Sequence, residues 1–124
     1  MLGTTASATT TVTRENTAKA AGSGSLEVFA TPMMIALMEQ AACACLAAHL
    51  EAGQTSVGTH ICADHTAASP LGMKITATAT VTSVNKRSVE FSVSARDSAG
   101  EIGSGRHLRV IVDQERFLAK VRGR

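Results

Sequence analysis

At 124 residues, 44% hydrophobic but 2% aromatic with no Trp or Tyr, the chain has the length of one domain whose core must be built from Val, Ile, Leu, Met and many Ala. Its net charge of +2 is uneven: the last 19 residues hold 6 basic and 2 acidic groups, yet no aromatic interleaving or groove-reading motif accompanies them, which sets nucleic acid aside. Three cysteines form an odd count, the start carries no basic or apolar leader, and no long apolar run is free of polar residues, so a reduced, cytoplasmic chain without a membrane segment is expected.

Residues 1–9 read as a flexible polar start and residues 10–124 as one folded domain, with a Thr-rich first strand over residues 10–19 and a flexible Gly/Ser loop at 21–25. A helix opens at Thr31-Pro32, where Thr suits an N-cap and Pro a first helical position, and it runs to about Glu51 before Gly53 stops it. Its apolar residues nearly encircle it, which predicts protein on most sides. Cys43, Cys45 and Cys62 read as small buried hydrophobes, and Met33, Met34 and Met38 as core filler.

Beyond the helix the hydrophobic period drops to two. A Gly-led strand over residues 58–66 is followed by Met73, Ile75, Ala77, Ala79 and Val81 alternating with polar residues, then by Val89, Phe91, Val93 and Ala95 doing the same. Asn85-Lys86 is a tight connection, and Ser98-Ala99-Gly100 turns into a strand over residues 102–113 with Leu108, Val110 and Val112 on one face. The basic residues at the end read as a solvated strand and tail.

One long apolar helix, a strand before it and an antiparallel meander after it form an α+β pattern, a sheet wrapped around a central helix in the hotdog arrangement. The segments Val28-Phe29-Ala30-Thr31-Pro32, Leu37-Met38-Glu39-Gln40-Ala41-Ala42, Gly58-Thr59-His60-Ile61-Cys62-Ala63-Asp64-His65-Thr66 and Glu101-Ile102-Gly103-Ser104-Gly105-Arg106-His107 resemble, in order and spacing, those of the hotdog acyl-CoA thioesterases related to fluoroacetyl-CoA thioesterase. The likeness spans residues 10–122. It implies a homodimer, with a dimer of dimers left open, that hydrolyses short-chain acyl-CoA thioesters without a cofactor. By the same resemblance Thr31, Glu39 and His65 match the catalytic positions and Gly58 a position whose backbone lies against the thioester.

The residues support this reading independently. Glu39 is a carboxylate in an apolar helix, where an unpaired charge costs several kcal/mol and therefore implies a partner or a function. Strand parity sets His65 with Thr59, Ile61 and Ala63 on the more apolar face and turns Asp64 away. His60, Cys62 and Asp64 alternate on the other face, but a straight strand spreads them over about 13 Å, too far to converge on one zinc, so no metal is expected.

Each residue also has a plainer reading: Thr31 as a cap worth ~1 kcal/mol, Glu39 as a dimer-facing carboxylate, His65 as a satisfied core histidine. Eight helical positions separate Thr31 from Glu39 by roughly 12 Å, so the two meet only across a dimer interface or serve different parts of the substrate. Lys86, Arg87, Arg106 and Arg109 are candidates, by charge alone, for the phosphates of coenzyme A. The loop before the helix has no aromatic residue ahead of Phe29, so selectivity for a fluorinated acyl group is not expected to carry over. Alternative readings are a hotdog dehydratase or hydratase, and a dimer that binds acyl-CoA without turning it over.

Overall fold

The helix Thr31–Ala47 is the element around which the rest of the chain closes; this computed structural model describes residues 1–124. Met34, Leu37, Met38, Ala41, Ala42, Cys45 and Leu46 bury one face of it, and Ala at the contact positions lets the sheet approach closely. The opposite face, with Met33, Gln40, Cys43 and Ala44, is open in the protomer, so the helix is not encircled and Cys43 is not a core residue. Cys62 is exposed as well, and Cys45 alone is buried.

The helix begins one residue earlier than a Thr cap requires. Ala30 is the cap, extended at φ −73° and ψ 138°, and Thr31 is the first helical residue, which leaves its hydroxyl free of capping duty. The C-terminal end falls at Ala47, short of Glu51, and Gly53 at φ +79° reverses the chain in the left-handed region that glycine favours.

Five strands, β1 (Thr5–Thr11), β2 (Gln54–His65), β3 (Lys74–Asn85), β4 (Ser88–Asp97) and β5 (Gly100–Asp113), form one antiparallel sheet in the order β1-β3-β4-β5-β2. The first strand lies mostly within the stretch expected to be flexible, pairing Ala6 with Ala79 and Ala8 with Ala77. After it come a 3-10 turn at Arg14–Asn16 and a short helix, α1 (Ala18–Ala21), in place of the strand expected through residue 19. Strands β3, β4 and β5 make the expected meander, and Ile75, Ala77, Ala79, Val81, Val89, Phe91, Val93 and Ala95 all face the core. The central helix, α2 (Thr31–Ala47), packs chiefly against β1 and β3 and also touches β4 and β2, the hotdog arrangement. The basic C-terminus is a helix, α3 (Gln114–Arg122), that follows β5 directly. No helix is long and apolar enough to cross a membrane.

The approach to α2 is pinned by backbone bonds. Phe29 N–H donates to the Ser69 carbonyl at 2.9 Å and Ala30 N–H to the Asn16 carbonyl at 3.0 Å, while the buried Asn16 side chain ties Thr11 and Thr13. Ser69 is in turn fixed by its hydroxyl, which donates to Asp97 Oδ2 at 2.7 Å, and Ala99 N–H donates to Asp97 Oδ1 at 2.8 Å. Ser69 and Asp97 are both buried.

The Ser69 hydrogen bond is the main cause that holds the Asp97 carboxyl below its ordinary value of 3.8. A carboxyl lowered in the folded state stabilises fully above its unfolded value and loses that contribution as pH falls through the folded value. Ser69→Ala should therefore cost about 1.5–3 kcal/mol at pH 7, the range for a hydrogen bond to a charged group. Urea unfolding at pH 7 and pH 3 checks this: the deficit should shrink in acid, and equal stability at pH 7 would contradict the role given to this pair.

Candidate active site

Two clusters of polar side chains lie along α2 and β2. At the start of α2, Thr31 Oγ1 is 2.7 Å from His65 Nδ1 at the end of β2. Close packing brings the two together: Met34, one turn into the helix, rests against Gly103 of β5, where an added Cβ would lie 2.7 Å from Met34 Sδ. Gly103 pairs with His65 in the sheet. The same Cβ would fall 2.5 Å from the Asp64 carbonyl oxygen, so a side chain at 103 would displace the strand backbone next to His65.

The other ring nitrogen, His65 Nε2, is buried and has no hydrogen-bond partner within the protomer. An orphaned buried polar atom is rare, and it marks a position that a substrate or a further chain can satisfy. Beside it a cleft of about 250 Å³ is lined by Ala18, Ser23, Val28, Phe29, Thr31 and His65, among others. As parity predicted, Ile61, Ala63 and His65 are half-buried on one face, while His60, Cys62 and Asp64 are exposed on the other. A bulge between Gly58 and His60 takes Thr59 out of that alternation.

The second cluster surrounds Glu39. Its Oε2 accepts a hydrogen bond from Arg109 Nη1 at 3.2 Å, and its side chain remains 40% exposed. Arg109 comes from the core-facing side of β5 and is 7% exposed. Its Nε–H donates to Ser56 Oγ at 2.9 Å, its Nη2 donates to the Ser56 carbonyl at 3.1 Å, and its Nη1 also lies 3.1 Å from His107 Nε2. Arg109 is therefore a buried partner of Glu39, which removes it from the surface candidates for coenzyme A phosphates. Of the other three, Arg87 pairs with Asp113 and Arg106 with Glu90, so their charges are partly matched within the chain.

His107, which the sequence did not single out for a site role, is 1% exposed and stacks on Phe91 with ring centroids 6.0 Å apart. Its Nδ1 is 2.7 Å from the His60 carbonyl, which can only accept, so Nδ1 carries the proton. Gly58 lies against all three groups. A Cβ there would fall 2.8 Å from Glu39 Oε2, 3.2 Å from His107 Cε1 and 3.3 Å from Arg109 Nη1. Within the protomer the absence of a side chain at 58 is what gives the Glu39 carboxylate room.

The four expected site residues thus divide into two pairs: Thr31 with His65, and Glu39 with Gly58. Because of the bulge, Gly58 and His65 stand opposite Arg109 and Gly103, six ladder steps apart or about 20 Å, and no hydrogen bond links the pairs within one chain.

Burial pushes both the His65 and the His107 imidazoles below the ordinary value of 6.5. For a histidine lowered in the folded state, the unfolded chain takes up the proton first as pH falls. Their contribution to stability is complete above about pH 6.5 and declines as pH drops from there through the folded values. The urea midpoint should fall between pH 7.5 and pH 5, and a midpoint that held or rose would contradict two buried neutral imidazoles.

Residues 12–115 match the model of the family described as fluoroacetyl-CoA-specific thioesterase, FlK. A fluoroacetyl-CoA thioesterase from Streptantibioticus cattleyicolor is 50% identical over 96 residues, which cover 77% of this chain and 69% of that protein. The crystal structure of the fluoroacetyl-CoA thioesterase FlK superposes with a TM-score of 0.93 at 39% identity, covering 100% of this chain and 96% of the other. A hot-dog-like protein from Thermanaerovibrio acidaminovorans superposes with a TM-score of 0.88 at 29% identity, covering 97% and 89% of the two chains. With the family model covering most of the sequence and the same fold recurring along the whole chain, this protein belongs to the fluoroacetyl-CoA-specific thioesterase family of hotdog enzymes.

Proposed function

We propose that the protein hydrolyses short-chain acyl-CoA thioesters to the free acid and coenzyme A, with Glu39 as the reacting carboxylate, His65 as acid/base and Thr31 as the group that orients His65. The observation that carries this reading is the way Glu39 is held. Arg109 fixes Oε2, while Oε1 makes no hydrogen bond to the protein and remains available on a half-exposed side chain. A carboxylate fixed by one oxygen and free at the other can attack the acyl carbon, forming a mixed anhydride as the thiolate departs, or can take a proton from an attacking water.

His65 supplies what a carboxylate lacks. One ring nitrogen is committed to Thr31 and the other has no partner, so the free nitrogen can pass a proton to the departing thiolate or orient the water. The Thr31 N–H, at the first position of α2, makes no hydrogen bond within the chain, and the following residue is Pro. That donor and the positive end of the helix dipole suit the oxyanion that develops on the thioester carbonyl. Backbone at Gly58 would lie against the thioester beside Glu39.

Glu39 and His65 would act together across a homodimer. Strand β2 is a sheet edge, paired with β5 on one side only. If two copies pair antiparallel along this edge about a two-fold axis at Cys62, the bulge between Gly58 and His60 sets Gly58 of one protomer opposite His65 of the partner subunit. Glu39 then faces the partner's Thr31 and His65, and each dimer holds two complete sites. The open edge and the split of roughly 20 Å within one chain both favour this assembly.

Thiol release from a series of acyl-CoAs, acetyl to octanoyl with aryl and halogenated acyl groups included, tests the activity and begins to name the acyl group. Glu39→Gln keeps the side-chain shape and should reduce kcat by about 10³-fold or more while leaving coenzyme A binding within a few-fold. Release by the wild type that persists in the variant would remove Glu39 from the chemistry. No release from any substrate, with tight acyl-CoA binding by calorimetry, would make the protein a binding dimer.

A further inference from the structure

We infer that His107 is a positioning residue for Glu39: locked in one tautomer by the His60 carbonyl, its Nε2 lone pair holds Arg109 Nη1 at the angle that fixes Glu39 Oε2 and leaves Oε1 free. This rests on the reading of Glu39 as the reacting carboxylate.

The hydrogen-bond inventory leaves one consistent arrangement. His60 O can only accept, so His107 Nδ1 donates to it and Nε2 is left as an acceptor. Arg109 has only donors, so the 3.1 Å contact is an Nη1–H directed at Nε2, and the second hydrogen on Nη1 goes to Glu39 Oε2 at 3.2 Å. The 3.8 Å between His107 Nε2 and Glu39 Oε2 is then the separation of two acceptors sharing one donor nitrogen. Nε and Nη2 are anchored on Ser56, so the guanidinium is oriented from three sides.

The groups that face this imidazole come from every neighbouring element. They are Glu39 of α2, Phe91 of β4, the backbone of Gly58 and His60 of β2, and Arg109 of β5, with the exposed His60 side chain as a weaker like charge. A proton on Nε2 would set an N–H against the N–H of Arg109 and a cation against a cation. The contact would open and Glu39 would lose its fixed orientation. A neutral His107 is accordingly part of the active form, and burial, the largest influence on it, favours that form.

The test is the pH dependence of kcat for wild type, His107→Gln and His107→Leu. Gln offers an amide oxygen near the Nε2 position and does not titrate, whereas Leu fills the space without an acceptor. The leucine variant should lose about ten- to hundredfold in kcat with KM within about threefold, as misplacement of a reacting group does. Glutamine should recover much of that loss, and its activity should persist to lower pH than the wild type's. Wild-type kcat in a folded leucine variant would overturn the proposal, as would equal losses in both variants with an unchanged pH profile.

Nitrogen NMR of the wild-type histidine side chains needs no variant and no turnover. It should show His107 as the neutral Nδ1–H tautomer at pH 7.5, and the Nε2–H tautomer or an imidazolium would overturn the assignment. If the wild type releases no thiol from any acyl-CoA, the functional reading fails, while the NMR result still decides the hydrogen-bond network by itself.

Discussion

A guanidinium that is 7% exposed on the inner face of a sheet must find acceptors, and the acceptors of Arg109 account for much of the local architecture. Ser56 supplies two from the edge strand, His107 one from β5 itself, and Glu39 the carboxylate that balances the charge. Solvent screens the pair on the Glu39 side, which is 40% exposed, but the buried guanidinium still needs every acceptor it has, so each member constrains the rest. Gly58 has no side chain because Glu39 occupies that space. His107 is stacked on Phe91 and tied to the His60 carbonyl because its unprotonated nitrogen must face Arg109.

The two ends of β2 then have distinct characters. Near Gly58 the polar groups are mutually satisfied, apart from one oxygen of Glu39. At His65 the groups are fixed by close packing through Gly103 and Met34 but left incomplete, with one imidazole nitrogen buried and unpartnered. In the proposed function, the carboxylate with a spare oxygen and the imidazole with a spare nitrogen serve as complementary halves of an acyl-transfer site. In the proposed assembly the unpaired edge between them is the seam at which the halves meet. Phe29 is the one aromatic residue lining the cleft beside His65, and the loop before it supplies none.

The helix and the β3-β4-β5 meander were legible because their hydrophobic periods are strong, and Glu39 stood out as a charge in an apolar run. His65 was placed on the correct face by parity, since the bulge at Thr59 lies upstream of it and leaves residues 61–65 in phase. A Thr-Pro pair points to a Thr cap, whereas the helix starts at Thr31 with Ala30 as its cap, a start pinned by the bonds to the Asn16 and Ser69 carbonyls. Charge alone makes Arg109 look like a surface residue, and no pattern in the sequence marks His107. The apolar Leu108, Val110 and Val112 that alternate with them lie on the outer face, so the strand's hydrophobic pattern points opposite to its core side. β1 was placed late because Ala6 and Ala8 give little contrast with the Thr and Ser between them. α3 was missed because its apolar residues Phe117, Leu118 and Val121 follow β5 without a loop.

The central claim, that Glu39 of one protomer works with His65 of the partner subunit, is tested most directly by mixing two inactive variants. Glu39→Gln and His65→Ala proteins would be unfolded together in equal amounts and refolded, with formation of mixed dimers followed by native mass spectrometry. A site shared across the two-fold axis predicts that each variant alone is inactive and that the mixture regains about a quarter of wild-type activity, because half the dimers then hold one intact site of two. Mixed dimers without recovered activity would contradict the account, and would place the catalytic groups of each site within a single chain.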